Sequence, residues 1–168
     1  GFSAVAAFPP PACMDAGDGL FYPAMRGTGL SGAPEGPLVP EMVLLVPVPP
    51  GAEVESRWTT LSVSGFESPP GGRPCAPPML DGTGLETIER YQAAAGGATL
   101  HPLEVSTMRI AGVTMAVARL HPVTDPASGT YASSARVELS WRPVRGAVPL
   151  VDGLASLVCP PGVVWWPP

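Results

Sequence analysis

The side chains best suited to chemistry in this sequence are three cysteines, Cys13, Cys75 and Cys159, and two histidines, His101 and His121. A cysteine nucleophile needs a base within hydrogen-bond reach and a third group to orient that base. Each histidine is followed by proline, Pro102 and Pro122. Proline pushes the residue before it into extended backbone, so both histidines read as strand ends with structural roles. The Gly-x-Ser-x-Gly turn that presents a catalytic serine does not occur. The cysteines lack the Cys-x-x-Cys spacing of a zinc site. Asp15 and Asp18, interleaved with Gly17 and Gly19, hint at a calcium loop. They lack its ligand spacing and its closing bidentate glutamate, so neither calcium nor any other cofactor is expected. The chain reads as non-catalytic. Cys75 and Cys159 adjoin prolines and Cys13 lies two residues after Pro11. Cysteines in such rigid loops suit an oxidising compartment, and the expectation is one intrachain disulfide among the three.

Composition narrows the partners. The 168 residues include 24 Pro and 20 Gly, a share that would suit a disordered chain, but 45% are apolar, which a disordered chain is not. Short strands joined by many turns satisfy both facts. All nine basic residues are Arg and none is clustered, and the formal net charge is -5. Phosphate binding needs grouped cations, so nucleic acid is excluded as a partner. The chain also has no apolar run near the ~20 residues of a spanning helix. Only 14% of residues are charged, against about 25% in typical soluble domains. A surface so poor in charge suits contact with other protein.

The elements that must position these residues form one domain over 1–168. Residues 9–40 read as loop-rich, with a short strand near Leu20. Met42–Val48 is an apolar run of strand length, and Pro47 demotes its end to a sheet edge. Glu53–Val63 is a second strand whose apolar parity changes after Trp58, which calls for a bulge near Thr59 and Thr60. Residues 65–84 form a long loop centred on Pro69, Pro70, Gly71, Gly72 and Arg73. Thr83 and Glu86 make a capping box for a short helix near Leu85–Ala95. Leu103–Ile110 and Val113–His121 flank Ala111 and Gly112, a hairpin turn. In Tyr131–Arg142, Val137, Leu139 and Trp141 face one side and Arg136, Glu138 and Ser140 the other, the pattern of a sheet with one wet face. The tail 148–168 is apolar and ends in Trp165 and Trp166. Adjacent strand residues point to opposite faces, so one tryptophan should meet a partner. The apolar opening segment with Phe2 and Phe8 reads the same way. The expected fold is an antiparallel β-sandwich with one short helix and long Pro/Gly-rich loops.

Two stretches resemble the N-terminal pro-domain of gingipain-type secreted cysteine proteases. One is Gly36, Pro37, Leu38, Val39 and Pro40, an apolar strand, then Pro50, Gly51, Ala52, Glu53 and Val54. The other runs from Met108, Arg109, Ile110, Ala111 and Gly112 through a strand to His121, Pro122 and Val123, past Gly129, and into Tyr131–Arg142. The resemblance implies a β-sandwich, export from the cytoplasm, and a role as folding aid and inhibitor of an attached protease. Arg73, set between a Gly-Gly pair and Pro74 in the long loop, is then the first candidate for an inhibitory contact. Two readings of function result. One is a non-catalytic structural or protein-binding subunit of an extracytoplasmic assembly. The other is a pro-domain or accessory module of a secreted cysteine protease.

Overall fold

A computed structural model of the chain describes residues 1–33, 36–78, 92–94 and 100–142, and the backbone of 163–165. In chain order the strands are β1 (Phe2–Ala7), β2 (Ala12–Gly17), β3 (Leu20–Ala24), β4 (Gly29–Ser31), β5 (Val39–Pro47) and β6 (Val54–Gly65). There follow β7 (Arg73–Pro74), β8 (Leu103–Ile110), β9 (Val113–Leu120), β10 (Thr130–Trp141) and β11 (Val163–Trp165). A single 3-10 turn at Pro126–Ser128, capped by Asp125, is the one helical element among the described residues. No helix among them is long and apolar enough to cross a membrane.

Two four-stranded sheets, ordered β11-β1-β10-β6 and β4-β5-β9-β8, form the sandwich. Their inner faces supply one core. Phe2, Ala4 and Ala6 of β1 and Ala135, Val137 and Leu139 of β10 meet Met42, Leu44 and Val46 of β5 and Ala116, Ala118 and Leu120 of β9. Val54, Trp58 and Trp141 pack at its margin, partly buried. The alternation in β10 has the predicted sense, with Val137 and Leu139 inside and Arg136 and Ser140 exposed. Ala111 and Gly112 form the two-residue turn between β8 and β9, both with positive φ (46° and 86°). That is the backbone twist a tight hairpin favours. Pro47 sits on β5 beyond the three residues that β4 covers, so its missing N–H interrupts no ladder on that side.

The bulge between β6 and β10 falls one residue beyond its predicted place. Thr60 faces Ala135 and Ser62 faces Ser134, which leaves Leu61 as the extra residue, and Ser133 is the compensating one on β10. It does not bury the residues after it: Leu61 and Val63 stay exposed. The 9–40 stretch differs from its loop-rich reading. It carries β2, β3 and β4, and β2 and β3 join β7 in a third, small sheet ordered β2-β3-β7. The predicted helix falls mostly on 79–91, outside the described residues. Its far end is not helical: Ala93 bridges Cys75, and the backbone on either side bonds to Pro74 and Ala76.

Both chain ends take intramolecular places. β1 pairs with β10 along its length, from Phe2 opposite Leu139 to Ala7 opposite Ser134. β11 pairs with β1 on the other side, Ala4 opposite Trp165. Phe2 and Phe8, expected to reach a partner, are buried in this chain's own core, and Phe8 stacks on Trp58 with ring centroids 6.0 Å apart. The reason is the pleat. Phe2, Ala4, Ala6 and Phe8 fall on one face while Ser3 and Ala7 point to solvent. Of the two terminal tryptophans, Trp165 lies in β11 and Trp166 lies outside the described residues.

The disulfide expectation fails for the pair that can be placed. Cys13 and Cys75 are free thiols. Cys13 lies on β2 opposite Pro23, whereas the Cys75 N–H donates to the Phe21 carbonyl, so the two flank β3 from opposite sides. Two strand spacings separate them by about 10 Å, beyond the ~7 Å between Cα atoms that a disulfide spans. Cys159 lies outside the described residues. Burial pushes both thiols above their ordinary pKa, with a backbone hydrogen bond opposing it at Cys75. In mapped thiol labelling of the native protein, half-buried Cys13 should react slowly and Cys75 only after unfolding. Labelling of Cys75 at the same rate as Cys13 would refute its burial.

Candidate functional site

The segment from Gly65 to Cys75 carries two exposed charged side chains, Glu67 and Arg73, and holds the second on a backbone fixed from several directions. Its start is anchored where the Phe66 N–H donates to the Gly129 carbonyl (2.8 Å) and the Phe66 ring meets Tyr131 edge-on. Pro69, Pro70, Gly71 and Gly72 then turn the chain. The Gly72 N–H donates to the Pro69 carbonyl (2.9 Å), and Gly71 takes φ 69°. Proline followed by a positive-φ glycine is the sequence of a type II turn. Gly72 is required for space as well. A Cβ there would lie 3.0 Å from both the Phe21 ring and the Pro69 carbonyl oxygen.

Arg73 comes next, on β7. Its N–H donates to the Gly19 carbonyl (2.9 Å), and that of Cys75 to the Phe21 carbonyl (2.8 Å). The Cys75 carbonyl, facing the same way as its N–H, accepts from the Leu38 N–H, and on the other side the Ala94 N–H donates to the Pro74 carbonyl and the Ala76 N–H to that of Gln92. Beneath, fully buried Cys75 packs with Leu20 and Leu38 in a small cluster of its own. The Arg73 side chain is exposed, and no ion pair holds it among the described residues. An extended backbone pinned on both sides that carries an exposed guanidinium can enter a partner's acidic pocket at little cost in ordering.

The remaining candidates are elsewhere and are not gathered. Asp15 accepts from the Gly17 N–H (2.8 Å) within the β2–β3 turn, where Asp18 itself takes φ 52°. No group of three or more His, Cys, Asp or Glu side chains among the described residues could hold a metal. His101 is exposed. His121 is buried, as a structural role requires, but in a setting that sequence reasoning missed. Its Nδ1 lies 2.9 Å from the His101 carbonyl oxygen and its Nε2 3.2 Å from Glu41 Oε2. Arg119 reaches both oxygens of the same carboxylate, at 3.1 and 3.2 Å. Burial opposes ionisation of Glu41. Hydrogen bonds from His121, Ser31 and Arg119, with the charge of Arg119, outweigh it and hold the carboxyl below its usual range. Glu41 and His121 lie on β5 and just past β9, too far apart in sequence for any spacing to reveal the pair.

No family model and no curated protein matches the chain. Among solved structures, it is similar to a chain in a study of the zymogenic latency of gingipain K from Porphyromonas gingivalis. The two are 18% identical and superpose with a TM-score of 0.63 over 84% of this chain and 87% of that one. At that identity the likeness is one of fold, and the fold is the β-sandwich described above.

Proposed function

We propose that this domain is a pro-domain or accessory module that assists the folding of a gingipain-type secreted cysteine protease and keeps it latent. The observation that carries the reading is the fold likeness, over most of both chains, to a structure concerned with zymogenic latency. Arg73 agrees with it: an exposed cation on a pinned extended strand has the form of a substrate residue offered to a protease cleft. Pro74 follows it, so the bond that would be cut has no N–H and a fixed φ, which suits a segment that occupies a cleft without being consumed. On this reading the chain acts outside the cytoplasm and its partner is protein. The other reading, a structural subunit of an extracytoplasmic assembly, rests on low charge, many prolines, the lack of a recognisable active site and apolar ends, and of these the ends no longer favour it. Both ends pair within this chain.

The test adds purified domain to the mature gingipain-type protease of the same cell and follows peptide hydrolysis. Activity should fall with added domain and reach a plateau near equimolar. Unchanged activity at large excess would overturn the proposal.

A further inference from the structure

β6 is the outermost strand of its sheet, and among the described residues no strand pairs with its side away from β10. Its register with β10 is unbroken from Val54 opposite Trp141 to Thr60 opposite Ala135, and the bulge lies beyond, at Leu61. A flat free edge is a template for another strand, and natural sheets blunt theirs with proline, bulges or charge. The bulge blunts the second half of β6. The first half, 54–60, has no proline, and its two charged residues, Glu55 and Arg57, are exposed and of opposite sign. Proline comes earlier, at Pro49 and Pro50, where the chain turns and the Ala52 N–H donates to the Pro49 carbonyl (3.1 Å).

Charge decides which strand this edge fits. In an antiparallel pair of identical strands, the backbone groups turned outward belong to residues of the same parity in both copies. The pairing is therefore centred on a residue, never between two. About Ser56, Glu55 opposes Arg57 of the second copy and Val54 opposes its Trp58, each twice by symmetry. About Glu55 the two Glu55 side chains would meet, and about Arg57 the two Arg57 side chains, and like charges directly opposed are destabilising. About Trp58 both charges would face the uncharged Thr59 and Leu61. Arg57 already has Glu138 opposite it on β10. Glu55 of a second copy would extend that row to Glu138, Arg57, Glu55, with the sign alternating across the junction. Val54 and Trp58 sit partly buried at the core margin, and each would gain an apolar neighbour across the new ladder.

We propose that two copies of this domain join edge to edge through residues 54–58 of β6, antiparallel and centred on Ser56, so that two four-stranded sheets become one continuous sheet. The inference stands apart from the latency reading. A contact in which the same patch serves both copies closes on itself. It leaves no further β6 edge open and stops the assembly at a dimer.

The experiment measures self-association by analytical ultracentrifugation for the wild type, Glu55→Arg, Arg57→Glu and the double variant that exchanges the two charges. The wild type should dimerise with a dissociation constant below about 1 mM. Each single variant opposes like charges twice and should raise that constant about 10-fold or more, while the exchange restores opposite pairs and should return it to within about 3-fold. Unfolding midpoints check that each variant is folded, because Arg57→Glu also faces Glu138 in its own chain. A cross-link tests the register directly. Opposed residues lie about 4.5–5.5 Å apart between Cα atoms, within disulfide reach. Under mild oxidation Ser56→Cys should give a dimer linked at position 56, located by peptide mapping, and Thr60→Cys should not. A wild type that stays monomeric at about 1 mM, single variants that associate like the wild type, or a folded double variant that does not recover would overturn the proposal. If a charge variant does not fold, the cross-link decides: no link at position 56, or an equal one at position 60, sinks it.

Discussion

Removing residues 1–8 leaves a chain that does not fold. β1 sits inside its sheet, with β10 on one side and β11 on the other. Its loss exposes the edge of β10, strips β11 of its partner and empties the core of Phe2, Ala4, Ala6 and Phe8. Each buried phenylalanine contributes roughly 1.5–3 kcal/mol by area alone, and whole domains hold only about 5–15 kcal/mol. The milder variant Phe8→Ala should cost about 3–5 kcal/mol and should also disturb the fluorescence of Trp58, on which Phe8 stacks. Denaturant unfolding followed by that fluorescence tests both. A truncated chain with a cooperative transition near the wild-type midpoint would contradict the place assigned to β1.

On the proposed latency reading, Arg73→Ala should weaken inhibition of the protease strongly and leave the fold alone. Arg73 contributes its backbone N–H to the sheet, which alanine retains, while its side chain touches no described ion-pair partner. Unfolding midpoints should therefore agree within about 0.5 kcal/mol, as for surface changes generally. In the complex the guanidinium would be desolvated against a carboxylate, and truncating one partner of such a pair costs about 2–5 kcal/mol. That is a rise in the inhibition constant of roughly 30-fold to several thousand-fold. Arg73→Lys should recover part of the loss, since charge remains but the planar fork does not. An inhibition constant unchanged by Arg73→Ala would remove Arg73 from the mechanism without touching the fold.

What the sequence made legible was local. The β8–β9 hairpin follows from Ala111 and Gly112 between two runs of strand formers, and β10 from strict alternation. The bulge followed from a change of parity within β6. What it hid depends on distant partners. The opening segment is apolar at nearly every position, so its inward and outward faces cannot be told apart until β10 sets the register, and it reads equally as core or as contact surface. β7 is a two-residue parallel pairing with β3, for which no pattern exists. The exposure of Arg73 was legible because glycine and proline around a charged residue mark a turn, but not the anchoring of its backbone, which comes from residues 19, 21, 92 and 94. The contact of His121 with Glu41 was invisible for the same reason: the carboxylate lies on another strand.

The place of β1 also orders events in time. Residue 2 pairs with residue 139, and residue 4 with residue 165. β1 is thus made well before the strands it pairs with. Chains dominated by such distant pairings fold slowly, because loop closure must precede the contacts that reward it. The hairpin of β8 and β9 can form early from neighbours alone, whereas the sheet containing β1 can close only after β10 and β11 have been made. Synthesis adds roughly 5–20 residues per second, so the apolar strand β1 spends seconds without its mates. On the proposed reading, in which the chain acts outside the cytoplasm, that delay keeps it threadable until it reaches the membrane.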